Sequence, residues 1–324
     1  MQTDDSSPAT GVSAFALPRL GLGTMTFGDQ VEVGRARGLV EQALGAGAVM
    51  IDTANVYAAG RSETIVGQVL EGLRDRVLLA TKVGIPISPQ DTAPLAPGRI
   101  RDELESSLRR LQTDHVDLYY LHQPDRATPF EESLSAVAAL IEEGKVRSWG
   151  VSNFAAWQIA ELRHVALGLG MPPPAAAQQQ YNLLSRRLED EYAEFARATG
   201  LGTVVYNPLA GGMLTGKYRV ASAPTEGRFA SEMYRERYWN ATMQNAVERL
   251  HEIAADLGLT LVQLALRWLL SGNVATSVLL GASRAEHLAE NLAAASDVPL
   301  EPQAFKACDD VWATLRGVAP AYNR

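Results

Sequence analysis

From about residue 18 onward, short apolar and β-branched runs alternate with longer amphipathic stretches. The runs at 19–23, 48–52, 77–81, 116–122, 146–151, 176–180, 203–206 and 277–280 have the length and composition of strands. Between them, apolar residues recur at helical spacing over 32–46, 62–72, 97–111, 130–143, 155–167 and 186–199, and again over 286–295 after the last strand. Glu63 follows Ser62 in a first turn, Pro129 precedes Phe130, and Gly144 and Gly200 stand where helices stop. Six of the seven successive strand spacings are near 30 to 40 residues, the size of one βαβ unit. Eight such units with right-handed crossovers predict an α/β fold, a single-domain (β/α)8 TIM barrel ringed by helices. An open doubly wound sheet competes, but eight regular units without an obvious reversal favour the barrel. The expected organisation is a tail over 1–17 and one barrel domain over 18–324.

Two connections break the rhythm. Residues 84–98 hold four prolines, and residues 207–242 hold glycines, prolines, Phe229, Tyr234, Tyr238 and Trp239. Both are long βα loops, so both belong to the carboxyl face, where barrel enzymes build their sites. A further helix over 302–316 lies outside the eight units.

Composition narrows the function classes. The chain of 324 residues is 47% apolar and 20% charged, enough to bury a sizeable core without disulfide or metal staples. Its one cysteine, Cys308, excludes an internal disulfide and every multi-cysteine metal site. The net charge of −8 argues against a nucleic-acid partner. Residues 1–14 lack a basic cluster and an apolar segment, and no run reaches about 18 uninterrupted apolar residues. The expectation is a cytoplasmic protein with no membrane partner; its oligomeric state is not readable from the pattern. Of 29 basic residues only Lys82, Lys145, Lys217 and Lys306 are lysines.

That scarcity draws attention to the strand ends. The second strand ends at Asp52, the third runs into Lys82, the fourth reaches His122, and Tyr57 lies five residues beyond Asp52. Neighbouring strands are about 4.8 Å apart, so these groups can converge. Singly, each has a plain structural reading: a turn acceptor, a solvated lysine, a packing histidine. Together they suit one reaction. A phenol is a poor acid near neutrality, an adjacent ammonium lowers its pKa, a carboxylate holds that ammonium charged, and a histidine hydrogen-bonds the reacting oxygen. Such a set protonates an alkoxide forming from a carbonyl, with hydride delivered by a cofactor. A lysine kept where arginine is the rule fits a compact, tunable ammonium. No clustered metal ligands are visible, against a metal-dependent barrel hydrolase.

The same residues, read in order, resemble the aldo-keto reductase family from about Leu20 to Asn291. Gly21 to Gly28 resembles its first-strand signature, and Asp52-Thr53-Ala54 with Tyr57, followed by Arg61-Ser62-Glu63 and Gly67, resembles its most specific motif. Lys82, Leu121-His122, Gly150 to Phe154, Gln178 before Tyr181-Asn182, Tyr206 to Lys217, Gly281 to Arg284 and Glu290-Asn291 follow in family order. The resemblance implies a proton donor, Tyr57, supported by Asp52, Lys82 and His122. It also implies an extended nicotinamide dinucleotide bound without a Rossmann fingerprint. Gly23, Thr24, Met25 and Asp52 would border it; Ser152, Asn153 and Gln178 would hold the carboxamide; Tyr206 would stack on the ring. Asn207, Pro208, Leu209, Ala210 and Gly211, with Lys217 and Arg228, would wrap the pyrophosphate. Gly281, Ser283, Arg284, His287, Glu290 and Asn291 would take the adenosine end, with a 2′-phosphate and hence NADPH/NADP+ over NADH.

Departures from the family pattern are Ala58 where glycine is usual, and Gly281 and His287 where some branches carry lysine and arginine. They point toward the branch of potassium-channel β subunits and bacterial NADPH-dependent reductases. The expected activity is reduction of a small-molecule aldehyde or ketone, with Phe27, Val56 and Trp149 lining the pocket. The choice between a methylglyoxal-type aldehyde, a sugar or nucleotide-sugar carbonyl and an aromatic aldehyde stays open. The rival reading is an NADPH-binding sensor subunit with little turnover.

Overall fold

The structure is a computed structural model that describes residues 15–88, 90–218, 227–295 and 298–318. Most of the expected tail, residue 89 of the first long loop and residues 219–226 of the second lie outside the described residues. Eight parallel strands form the inner wall: β1 (Leu20–Gly23), β2 (Met50–Asp52), β3 (Leu78–Val83), β4 (Val116–Leu121), β5 (Val146–Ser152), β6 (Ala176–Gln180), β7 (Gly202–Tyr206) and β8 (Ser277–Gly281). Each pairs with its successor and β8 returns to β1, which closes the barrel. The ring contains α1 (Val33–Gly45), α2 (Arg61–Val69), α3 (Pro97–Leu111), α4 (Phe130–Glu142), α5 (Ala156–Gly168) and α6 (Tyr192–Thr199). Then come α7 (Glu232–Tyr238), α8 (Ala241–Asp256), α9 (Leu261–Ser271), α10 (Ala285–Ala294) and α11 (Pro302–Arg316).

The expected strands and most helices are present with ends shifted by a few residues, and the extra terminal helix packs on α8. Two regions differ. The helix expected over 186–199 is a 3-10 turn, Arg187–Asp190, followed by α6, with Glu191 at φ −151° breaking the run. Arg186 is the cause at the front end: its buried guanidinium bonds Glu189 and Asp309 and lies 4.8 Å from the Trp268 ring centroid. The second difference lies between β7 and β8, where three helices stand in place of a loop and an unassigned stretch. The α9 segment is mostly buried and its polar stripe is narrow, only Gln263, Arg267 and Ser271 at helical spacing, so the run reads as apolar before it reads as a helix. Its start is nonetheless written in the chain, since Thr260 and Gln263 form a reciprocal capping box.

Strand alternation separates two cores. Met50, Ala80, Leu118, Tyr120 and Val204 point into the barrel, whereas Tyr119 and Trp149 face the helices. Gly150 is required inside: a Cβ there would stand 2.6 Å from the Ala176 carbonyl oxygen and 2.9 Å from the Tyr120 ring. The inward register carries on to the carboxyl ends, which present Asp52, Lys82, Ser152, Gln178 and Tyr206 to one mouth.

Register corrects one expectation. Trp149 is 1% exposed, faces outward, and donates its indole N–H to the Pro172 carbonyl at 2.9 Å. It supports the helix layer and cannot line a pocket. Trp149→Ala should cost about 3–5 kcal/mol of stability, measured by urea unfolding, while KM for a carbonyl substrate stays unchanged in the folded enzyme. A raised KM with little loss of stability would return Trp149 to the pocket.

Candidate active site

The centre of the mouth is a buried ammonium. Lys82, at 0% exposure, reaches from β3 to Asp52 Oδ1 at 2.5 Å, to the Thr53 carbonyl at 2.7 Å and to the Tyr57 hydroxyl at 3.4 Å. Asp52 is held in turn by Gln178, whose Nε2 donates to Oδ2 at 2.8 Å across the barrel from β6. The Tyr57 and His122 rings meet edge to face, with centroids 5.9 Å apart. The four residues picked out at the strand ends therefore form one cluster.

Burial and charge act in opposite directions here. Burial disfavours the charged form of Lys82, but Asp52 and then Tyr57 outweigh it and push the ammonium's pKa above its ordinary value. Burial raises the Tyr57 phenol; Lys82 pulls it down but does not overcome burial, to which Asp52 adds. The expectation of a net lowering is thus not met in this state, and the phenol keeps its proton near neutrality. Burial and then the Lys82 charge hold the His122 imidazole well below its usual range, so it is neutral. Its Nδ1 is buried without a partner.

Tyr57 stands on a one-turn 3-10 helix, Tyr57–Gly60, that leads into α2. Ala58, Ala59 and Gly60 take φ values of 49°, 53° and 86°, three left-handed residues in succession, two of them not glycine. Left-handed backbone costs an L-residue about 1–2 kcal/mol, so the surroundings must hold this link in place.

Around the mouth, Tyr206 donates its hydroxyl to Asn153 Oδ1 at 2.7 Å, and Asn153 Nδ2 donates to the His122 carbonyl and Ser152 Oγ, both at 3.0 Å. Between β1 and β8 the rim bears no side chains, because Gly23 pairs with Gly281. Beyond it, α10 begins at Arg284 without a side-chain cap, with Ser283 and Arg284 at its entry. On the opposite bank, a Cβ on Gly212 would meet Lys217 Cε at 3.4 Å, so the turn's missing side chain is what lets the lysine lie against it. Arg228 bridges the banks, donating to Met25 Sδ at 3.2 Å and the Tyr234 hydroxyl at 3.1 Å.

Residues 19–313 match the model of the Aldo/keto reductase family. Among curated relatives, aflatoxin B1 aldehyde reductase member 2 of Rattus norvegicus is 37% identical, covering 94% of this chain and 87% of its own. A probable voltage-gated potassium channel subunit beta of Oryza sativa is 36% identical, covering 90% and 91%. An uncharacterized oxidoreductase, YrpG, of Bacillus subtilis is 34% identical, covering 96% and 97%. The chain belongs to the aldo/keto reductase family. It is an oxidoreductase of the branch to which the resemblance pointed.

The uncapped start of α10 leaves free N–H groups and a helix dipole that favour an anionic group, and Gly23 beside Gly281 leaves the adjoining rim without side chains. Some expected contacts are limited by bonds already made. Thr24 is buried, with its hydroxyl and N–H both on the Asp52 carbonyl and its own carbonyl taken by the Phe27 N–H and the Ser62 hydroxyl. Asn207 Oδ1 accepts from the Gly211 N–H at 2.6 Å, which shapes the turn containing Pro208, Leu209 and Ala210. Asn291 is buried, its side-chain amide directed at the Gly281 carbonyl, whereas His287 and Glu290 are exposed on α10.

The expected apolar pocket needs correction beyond Trp149. Phe27 is fully buried in the outer core and bridges Val31, so of the three only Val56 stands at the mouth. The rim is more polar than the sequence suggested. Arg237 bonds Gln180 at 3.1 Å, and Tyr238 gathers the amides of Gln180, Asn182 and Asn207 on its hydroxyl. Nothing in the chain's periodicity marks these contacts, because they join the segments at the ends of β6 and β7 to a helix 31 to 58 residues later. Among the described residues, no group of three or more His, Cys, Asp or Glu is arranged to hold a metal.

The neutral His122 has a measurable consequence. Its pKa is depressed in the folded protein, so the unfolded chain binds the extra proton first as pH falls. Stability is lost from about pH 6.5 downward through the folded pKa. His122→Gln should flatten the stability-against-pH curve in that window, read as urea midpoints at several pH values; parallel curves would show that the imidazole is not held neutral.

Proposed function

We propose that this aldo/keto reductase reduces an aldehyde or ketone to the alcohol at the expense of NADPH, with Tyr57 as proton donor. The observation that carries the reading is the Lys82 ammonium bonded at once to the Asp52 carboxylate and the Tyr57 hydroxyl. A reduced nicotinamide, when bound, supplies the hydride to the carbonyl carbon. Ser152, Asn153 and Gln178 would hold its carboxamide, with Tyr206 beside them at the mouth. Lys217, Arg228, Ser283 and Arg284 would hold its phosphates.

The chain's own residues manage the proton. Tyr57 is protonated at rest, and its hydroxyl donates to the carbonyl oxygen as negative charge gathers there. The phenolate left behind is stabilised by the Lys82 ammonium, which Asp52 keeps charged and oriented. His122, neutral, offers the same oxygen a hydrogen bond from its ring without competing as an acid. Asp52, Lys82 and His122 are buried and Tyr57 is half-buried, so water is largely excluded and each electrostatic contact is strengthened. One hydride and one proton reach the carbonyl, and Tyr57 regains its proton from solvent after product leaves.

The name of the rat relative states an aldehyde reductase, which supports an aldehyde as substrate here. A panel of small, sugar and aromatic carbonyls, followed by loss of reduced-nicotinamide absorbance, is the direct test. Tyr57→Phe should lower kcat by about 100- to 10,000-fold with dinucleotide affinity retained. Unchanged turnover would remove Tyr57 from the chemistry. The likeness to a channel β subunit supports the sensor reading. Tight NADPH binding with no oxidised cofactor released in a single turnover with a reactive aldehyde would favour it; the complete tetrad favours turnover.

Cofactor choice rests on the start of α10. Arg284→Ala should weaken NADPH binding by about tenfold or more, the worth of a charge-assisted hydrogen bond, and leave NADH binding unchanged. Equal loss for both dinucleotides would place Arg284 away from the 2′-phosphate.

A further inference from the structure

The motif Arg61-Ser62-Glu63 with Gly67 takes no direct part in the proton transfer described above, yet two of its side chains are fully buried and charged or polar. Ser62 Oγ lies 2.9 Å from the Thr24 carbonyl, 3.0 Å from Thr24 Oγ1 and 2.9 Å from Thr53 Oγ1, which ties α2 to the backbone following β1 and β2. Glu63, at 0% exposure, accepts from Thr81 Oγ1 at 2.5 Å through one oxygen. Its other oxygen takes Arg110 Nε at 2.7 Å and Nη2 at 2.6 Å. Thr81 and Lys82 are neighbours on β3 with side chains on opposite faces. The carboxylate therefore grips β3 from behind at the point where the ammonium projects forward.

Arg110 serves a second contact. A Cβ on Gly60 would stand 3.0 Å from its Cδ, so the arginine chain lies against the last left-handed residue of the Tyr57 link. Gly67 permits this arrangement: a Cβ there would be 2.5 Å from the Arg110 carbonyl oxygen, so α2 and α3 touch backbone to backbone. Three left-handed residues relax unless both ends are held. One end is Tyr57 on Lys82; the other is the first turn of α2, fixed by Glu63 and Arg110.

We infer that Glu63 and Arg110 are positioning residues for proton transfer, setting the separation of the Lys82 ammonium and the Tyr57 hydroxyl through the left-handed link. This rests on Tyr57 being the proton donor. Glu63→Gln keeps an acceptor for Thr81 but loses the ionic fork. It should lower kcat by about 10- to 100-fold, as expected for a reacting group displaced by a fraction of an ångström to an ångström. KM for the carbonyl and the Kd of NADPH stay unchanged, and the alkaline limb of the pH–rate profile moves. Arg110→Lys, which preserves charge with fewer donors, should lose less kcat than Arg110→Met.

Arg110→Met leaves the fully buried Glu63 carboxylate unpaired and destabilises the fold, so a second variant guards the test. Glu63→Leu with Arg110→Met removes both charges together and avoids an unpaired one. Per folded molecule it should show the same loss of kcat and the same shifted profile. In a Tyr57→Phe background, Glu63→Gln should have no further effect on kcat, since the pair acts through the phenol. Wild-type kcat and a superimposable pH profile in the paired variant, with only a lower melting temperature, would overturn the inference. So would a full multiplicative loss in the Tyr57→Phe background. If Tyr57→Phe alone leaves turnover intact, the proton-donor reading has failed instead, and the two failures are told apart.

Discussion

A lysine ammonium with no access to solvent is the constraint on which this molecule depends. Burying such an ion costs several kcal/mol unless its partners are placed with good geometry. Lys82 meets that demand with the Asp52 carboxylate, the Thr53 carbonyl and the Tyr57 hydroxyl. Those partners come from β2 and the turn after it, while Gln178 of β6 secures the far oxygen of Asp52. A strand slipped by one residue would turn Lys82 outward and leave the carboxylate unpaired. Register and site are therefore one requirement.

The same charge orders the neighbours' protons. It helps keep His122 neutral and draws on the Tyr57 phenol, yet burial leaves that phenol protonated. A phenol that holds its proton, beside a cation ready to stabilise its anion, is what the proposed carbonyl reduction needs. The strained turn after Tyr57 makes sense beside this: Ala58 and Ala59 remain left-handed because the hydroxyl is held at one end and α2 at the other.

Much of the architecture was legible along the chain. Eight strands and the spacing between most of them followed from alternation of apolar runs, since each strand is covered by the next amphipathic helix. The cluster of Asp52, Tyr57, Lys82 and His122 was legible because parallel strands deliver their carboxyl ends to one mouth. The helices between β7 and β8 were less so. The α9 run is buried on most faces and its polar side is one residue wide, and Arg186 diverts the start of α6 by bonding a residue of α11.

The order of residues by itself determined the barrel, the four groups at its mouth and the family to which they belong, because each depends on local period and on parallel strands that deliver their carboxyl ends to one mouth. Tertiary structure decided which face each side chain took and what it met there. Only folding shows that Trp149 and Phe27 support the outer core, that Arg237 reaches Gln180, and that Glu63 grips Thr81 and Arg110 behind the lysine. Those contacts join residues 18 to 57 positions apart, and no period in the chain encodes such a distance.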